Sequence, residues 1–135
     1  MSHGPMAKSA LESAEMILGQ QDTVDTLEIR VDSTIETTVK EIFEITDRYD
    51  EEEWLILTDI IGGTPFNSAY RYLEHNPKSS IVAGFNLPML LEVFMRGSYQ
   101  TKDEILEYVE KSKTKIISVV NYQALESTAA EDFDL

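Results

Sequence analysis

Apolar residues follow two alternating patterns along the chain. In some segments they recur every three or four positions, which predicts a helix with one buried face. In others they form short runs or alternate with polar residues, which predicts a strand. The helical pattern covers residues 5–18, 35–49, 64–73, 88–95 and 102–113. The strand pattern covers residues 24–31, 54–58, 81–85 and 115–120.

This alternation of predicted strands and helices indicates an α/β fold. Repeated strand and helix units favour a mainly parallel sheet with helices on both faces. A domain of this class ordinarily opens with a strand, whereas this chain enters a helix at residue 5, so the first strand is missing from the pattern. We expect one domain, residues 1–120, and an acidic tail at 121–135.

Composition narrows the classes of function. A formal net charge of -14 opposes binding to nucleic acids and anionic membranes, and fits a basic protein partner better. The chain has no cysteine and only two histidines, so we predict no metal site. No apolar run reaches the length of a membrane span and no leader pattern is present, so we expect a cytoplasmic protein.

The richest candidate loop follows the strand at 54–58. In open parallel sheets, ligands bind where strands end and helices begin. Asp59 ends this strand, Gly62 and Gly63 permit close backbone approach, and Thr64 is expected to cap the next helix. Free amides at a helix start favour phosphate, although the same residues also suit an ordinary turn. The loop lacks the Gly-x-x-x-x-Gly-Lys pattern, so ATP is not the expected donor.

The two histidines have different contexts. His3 precedes the first helix, where it is either a reactive residue or an inert residue of the terminus. His75 lies in the segment Glu-His-Asn-Pro at a predicted helix end, where a cation suits the helix dipole and proline ends the helix. We therefore interpret His75 as structural.

Three segments that occur in a fixed order along the chain indicate a protein family more specifically together than any one of them does alone. They are Ser-His-Gly at 2–4 with the helix through 14–19, Leu-Thr-Asp-Ile-Ile-Gly-Gly-Thr-Pro-Phe-Asn at 57–67, and Val-Ala-Gly-Phe-Asn-Leu-Pro-Met-Leu at 82–90. Together they resemble the phosphorylation loop with its first helix, the second active-site loop and the third block of the IIA components of mannose-type sugar phosphotransferase systems.

The resemblance implies a role for each candidate residue. His3 would accept a phosphoryl group, and Asp59 would hold the other ring N–H, fixing the tautomer and stabilising the cation that forms. Gly62, Gly63 and Thr64 would receive the phosphoryl oxygens. Transfer between histidines needs alignment and charge stabilisation, so no cofactor, magnesium or ATP is implied for this half-reaction.

The resemblance also implies partners. Phosphorylated HPr would be the donor, a IIB component the acceptor, and the IIC and IID membrane components indirect partners. A homodimer is implied in which the strand at 115–120 can cross to the sheet of the other subunit and add an antiparallel strand. No linker to a IIB domain follows residue 120, so we expect a separate IIA polypeptide.

Three other functions are compatible with the same residues. A related domain serves bacterial dihydroxyacetone kinases in phosphotransfer. IIA-like domains also occur as regulatory modules of transcriptional activators, in which the phosphohistidine is a signal. The third alternative is an inactive relative in which His3 lies away from Asp59.

Overall fold

The computed structural model describes residues 1–122, within which short strands alternate with longer helices. The strands are β1 (Ser2–His3), β2 (Glu28–Ile29), β3 (Leu55–Thr58) and β4 (Ser80–Ala83). The helices are α1 (Met6–Leu18), α2 (Ile35–Thr46), α3 (Thr64–His75), α4 (Leu87–Gly97) and α5 (Lys102–Ser112), followed by a 3-10 turn at Lys113–Lys115. The predicted helices are confirmed, with their ends shifted by three residues or fewer.

The described strands pair in parallel, as predicted, but they form two sheets and not one. β1 pairs with β2, and β3 pairs with β4. The strand predicted over 24–31 is formed only at β2, because β1 offers just two residues for pairing. The amino nitrogen of Met1 donates to the Leu57 carbonyl over 2.7 Å and links the two pairs. A groove of about 730 Å³, lined by Leu27 and Leu55 among others, lies between them.

Two apolar clusters cover the opposite faces of β3. Leu55 and Leu57 pack against one cluster, while Ile56 belongs to the other, as expected for side chains that alternate along a strand. The first cluster unites α1, α4 and α5 through Ala7, Phe85, Met89, Leu90, Val93, Ile105 and Val109. The second unites α2 and α3 through Leu27, Ile42, Ile56, Ala69 and Tyr72. The α/β class with helices on both faces is therefore confirmed.

Local sequence signals explain where several helices begin. Thr34 accepts a hydrogen bond from the backbone N–H of Thr37, whose hydroxyl in turn accepts from the Thr34 N–H, so α2 starts in a capping box. Asn86 caps α4 by accepting from Met89, and Thr101 caps α5 in the same way. These caps set the helix starts that the sequence pattern predicted.

The segment predicted as a strand at 115–120 pairs with no strand within residues 1–122, so its pairing with a second subunit stays a prediction. The segment follows the 3-10 turn; Ile116 packs against the first apolar cluster, and the β-branched side chains after it are in solvent. Ile117, Val119 and Val120 are between 62% and 87% exposed. The acidic residues Glu126, Glu131, Asp132 and Asp134 of the predicted tail lie outside the described residues.

None of the helices within residues 1–122 is both long enough and apolar enough to span a bilayer.

Candidate active site

His3 lies at the carboxyl end of β1. Ser2 and His3 form a two-residue strand ahead of α1, which the sequence pattern did not predict. Backbone bonds to the β2 region hold both neighbours of His3: Ser2 N donates to Leu27 over 3.2 Å and Gly4 N donates to Ile29 over 2.8 Å. The imidazole is half exposed, so its position is defined by the backbone while its ring stays open to solvent.

Asp59 lies directly after β3 and contacts His3 twice. Its Oδ2 accepts from the backbone N–H of His3 over 2.9 Å and lies 2.8 Å from the ring Nδ1. Its Oδ1 accepts from the Ile60 N–H over 2.9 Å. Because an ionised carboxylate can only accept, Nδ1 carries the proton and the lone pair of a neutral ring stands on Nε2. The carboxylate is 8% exposed and is well shielded from solvent.

The pKa of Asp59 reflects two opposing effects. Partial burial disfavours the charged form and raises the pKa, but hydrogen bonds from the His3 backbone, the His3 ring and the Ile60 backbone favour the carboxylate more strongly. The resulting pKa lies below the ordinary value of 3.8. Asp59 is therefore ionised at neutral pH, as its role as a hydrogen-bond acceptor requires.

The start of α3 lies against the His3 ring. A Cβ placed on Gly63 would come within 2.8 Å of His3 Cε1 and 3.3 Å of Nε2, so only glycine leaves room for the imidazole. We expected Thr64 to cap α3, but Gly63 is the N-cap and Thr64 is the first helical residue. Gly63 supplies no side-chain acceptor, so α3 starts without a side-chain cap and its positive end faces the ring edge that carries Nε2.

Asn67 holds this loop and was not among the predicted site residues. Its amide Nδ2 donates to the Gly62 carbonyl over 3.1 Å, and its backbone N–H donates to the Gly63 carbonyl over 2.8 Å. Gly62 adopts the left-handed conformation, with φ of 85°, which makes the turn tight. An amide side chain in the first helical turn after a Gly-Gly pair is the sequence signal that could have identified Asn67 as a residue that holds the loop.

Asn86 and His75 have other roles. Asn86, in the matched segment 82–90, serves as the cap of α4. His75 ends α3, about 16 Å along the helix from Thr64, and its Nδ1 lies 3.4 Å from the Arg71 carbonyl. The structure thus brings together His3, Asp59 and the Gly62 to Thr64 turn, and keeps His75 at the opposite end of α3.

The geometry can be set beside that of known proteins. Residues 1–113 match the sequence model of the family EIIA-man, described as "PTS system fructose IIA component", in which PTS denotes the phosphotransferase system. The chain belongs to this family. The resemblance seen in the three sequence segments is therefore confirmed.

Relatives in this family differ in the sugar that their names give. The chain is 28% identical over 130 residues to the mannose-specific EIIAB component of Escherichia coli strain K12, covering 95% of this chain and 40% of the relative's length. It is 34% identical over 103 residues to the fructose-specific EIIA component of Bacillus subtilis, covering 75% of this chain and 70% of that protein. The chain thus spans less than half of the two-component relative.

Solved structures share the fold. The mannose/sorbose specific IIA subunit from Enterococcus faecalis superposes with a TM-score of 0.81 at 27% identity, covering 93% of this chain and 95% of that one. The EIIA component from Streptococcus agalactiae gives a TM-score of 0.78 at 27% identity, covering 87% and 92% of the two chains.

Substituting Gly63→Ala is expected to displace the His3 ring without unfolding the chain. The new methyl group would force Cε1 away by roughly 0.7 Å to reach a normal carbon contact, and a side-chain ring moves more easily than backbone. We expect ¹⁵N NMR of the imidazole to show loss of the Nδ1-protonated form. Gly97→Ala is the control, because its added Cβ meets nothing within 4 Å. An unchanged His3 spectrum in Gly63→Ala would contradict the contact.

Acidification should reveal the lowered pKa of Asp59. A carboxyl whose folded pKa is depressed stabilises the fold above its unfolded pKa, and this stabilisation is lost as pH falls through the folded value. We expect Asp59→Asn to be less stable than the wild type at pH 5 to 7, and the two unfolding free energies to converge below pH 3.8. Urea denaturation across this range measures the difference. Parallel curves would contradict the prediction.

Proposed function

We propose that this chain is a phosphocarrier of a mannose-type sugar phosphotransferase system, which accepts a phosphoryl group on His3 from phosphorylated HPr and passes it to a IIB component. The observation that carries the proposal is the 2.8 Å contact between His3 Nδ1 and Asp59, with the ring edge against Gly63 at the start of α3. Family membership supports a role in phosphoryl exchange.

The proposed transfer uses the Nε2 lone pair of His3. Nε2 attacks phosphorus as the bond between phosphorus and the donor's histidine nitrogen breaks, so one P–N bond replaces another. The developing positive charge on the ring is stabilised by Asp59, which already holds the Nδ1 proton. The proton stays between His3 and Asp59, and the second transfer to IIB reverses the same steps.

The start of α3 is proposed to receive the phosphoryl oxygens. The turn at Gly62 and Gly63 lets the backbone approach His3 closely, and Thr64 offers a hydroxyl and an N–H in the first turn. The helix dipole favours negative charge at this end. Nothing in this half-reaction requires a metal or ATP, because alignment and charge stabilisation supply the catalysis.

The surface around His3 suits a protein partner. Ile60 and Ile61 are 55% and 75% exposed on the loop that follows Asp59, so this loop presents apolar side chains to solvent. The net charge of -14 would steer a basic donor or acceptor toward the chain. We propose phosphorylated HPr and IIB as these partners in the cytoplasm, with the IIC and IID components as indirect partners.

Phosphoryl transfer to His3 can be measured directly. We expect the chain incubated with phosphorylated HPr to take up acid-labile label, and His3→Ala to take up none, while His75→Ala labels as the wild type does. Asp59→Asn should label roughly 10²-fold to 10⁴-fold more slowly, because the tautomer is no longer fixed.

Three outcomes would contradict the proposal. They are labelling of His3→Ala, labelling that maps to His75, and no labelling of the wild type. Label that stays on His3 in the presence of IIB components would instead favour the regulatory module.

We also propose that the chain forms a homodimer through the segment at 115–120. Within residues 1–122, β4 pairs on one side only, and a groove of about 600 Å³ along it is lined by apolar residues that include Ile81, Val82, Ile116 and Ile117. Antiparallel pairing of this segment with β4 of a second copy would bury its exposed side chains.

If the segment at 115–120 forms the dimer interface, the mass of the protein in solution should depend on its side chains. We expect light scattering to report twice the chain mass for the wild type and a shift toward the monomer for Val119→Asp, because a carboxylate opposes burial in the new strand pair. The control is Val31→Asp, since Val31 is fully exposed in the loop after β2. A monomeric wild type, or equal effects of the two substitutions, would contradict the proposed exchange.

A further inference from the structure

We propose that Ser2 is a positioning residue for His3: its hydroxyl joins the two sides of the turn that carries the imidazole. No candidate role was assigned to Ser2 from the sequence. The predicted effect on transfer rate rests on the proposed function, whereas the effect on the ring does not.

The Ser2 hydroxyl makes one hydrogen bond on each side of the His3 to Pro5 turn. Ser2 is completely buried. Its Oγ accepts from the backbone N–H of Ala7 over 2.7 Å and donates to the carbonyl of Gly4 over 3.0 Å. Ala7 lies in the first turn of α1, and Gly4 is the residue after His3. A single hydroxyl oxygen therefore connects the end of β1 to the start of the helix.

The start of α1 depends on this hydroxyl. Pro5 occupies the N-cap position and makes no side-chain cap bond, so the first-turn N–H of Ala7 lacks an ordinary capping partner. Ser2 supplies one from three residues before the cap. Gly4 completes the turn in the left-handed conformation, with φ of 60°. Removing the Ser2 hydroxyl would leave a buried N–H and a carbonyl without their partner, and the turn would relax to satisfy them.

Relaxation of this turn would reach the imidazole directly. The His3 backbone N–H and its ring Nδ1 both bond to the same oxygen of Asp59. A small displacement of the His3 backbone therefore lengthens both bonds together. The expected consequence is loss of the single tautomer, with the Nε2 lone pair no longer held toward the start of α3.

The test compares two buried serines that differ in their hydrogen bonds. Ser2→Ala removes the bridging hydroxyl, and Ser2→Thr keeps one. Ser68→Ala is the matched control: Ser68 is also fully buried, but within residues 1–122 its Oγ has no hydrogen-bond partner. Val109→Ala removes a buried side chain of α5 from the first apolar cluster, so it controls for a general loss of stability. Each variant is measured by ¹⁵N NMR of the His3 ring, by urea denaturation, and by its rate of labelling at saturating phosphorylated HPr.

The expected result is specific to Ser2. Ser2→Ala should show a mixture of ring tautomers and roughly tenfold slower labelling, about 1.4 kcal/mol in the barrier, while Ser2→Thr keeps the Nδ1-protonated ring. Ser68→Ala and Val109→Ala should keep both the ring state and the rate. The inference is overturned if Ser2→Ala retains a single Nδ1-protonated tautomer, or if Val109→Ala perturbs the ring equally. The NMR measurement needs no phosphoryl donor. If the wild type accepts no phosphoryl group, the proposed function is therefore contradicted, while the inference about Ser2 is still tested by the state of the His3 ring.

Discussion

The Asp59 carboxylate is the interaction on which the rest of the site depends. Oδ2 accepts from the backbone N–H and from the ring Nδ1 of His3, so it fixes both the backbone and the imidazole of that residue. The other oxygen accepts from Ile60, which fixes the carboxylate itself. These three bonds hold the pKa of Asp59 below its ordinary value in spite of partial burial. A charged acceptor is thus maintained where the chemistry needs one.

Residues 56 positions apart meet at this carboxylate although their strands do not pair with each other, because β1 pairs with β2 and β3 pairs with β4. The Met1 amino group donates to the Leu57 carbonyl and so holds β1 near β3, and each of these strands is followed at once by a loop that enters a helix. The His3 loop leads into α1, and the Asp59 loop leads into α3. The site therefore lies on the rigid ends of strands, supported by apolar clusters on both faces. The loops themselves contain few buried side chains, so the packed strands and helices beneath them set the distances between the site residues.

Under the proposed function, charge acts at two ranges. The whole chain is strongly acidic, which would attract basic protein partners but repel a free phosphoryl group. Near His3 the relevant charges are local: the positive end of α3 and the backbone around Gly63. The close approach of the ring to Gly63 brings Nε2 within reach of that helix end. Long-range charge can thus select the partner while short-range dipoles stabilise the transferred group.

The sequence alone determined the helices and the content of the site loops. Periodic apolar residues and the Gly-Gly-Thr-Pro turn are local signals, so they could be read without knowledge of distant residues. Strand lengths could not be read in this way. The segments at 24–31 and 115–120 have strand-forming residues, but a strand needs a partner to accept its backbone hydrogen bonds.

Only the tertiary structure decided how the site residues meet. The resemblance implied that His3 pairs with Asp59, but the structure showed that the ring contacts Asp59 through Nδ1, and that Gly63 and not Thr64 is the N-cap of α3. It also showed that Asn67 and Ser2 hold the two loops. The physical reason is that these contacts join residues through hydrogen bonds and close packing across the turns and between separate strands. Such contacts leave no periodic trace in the chain, because they depend on where the strands end in space and not on the order of the residues.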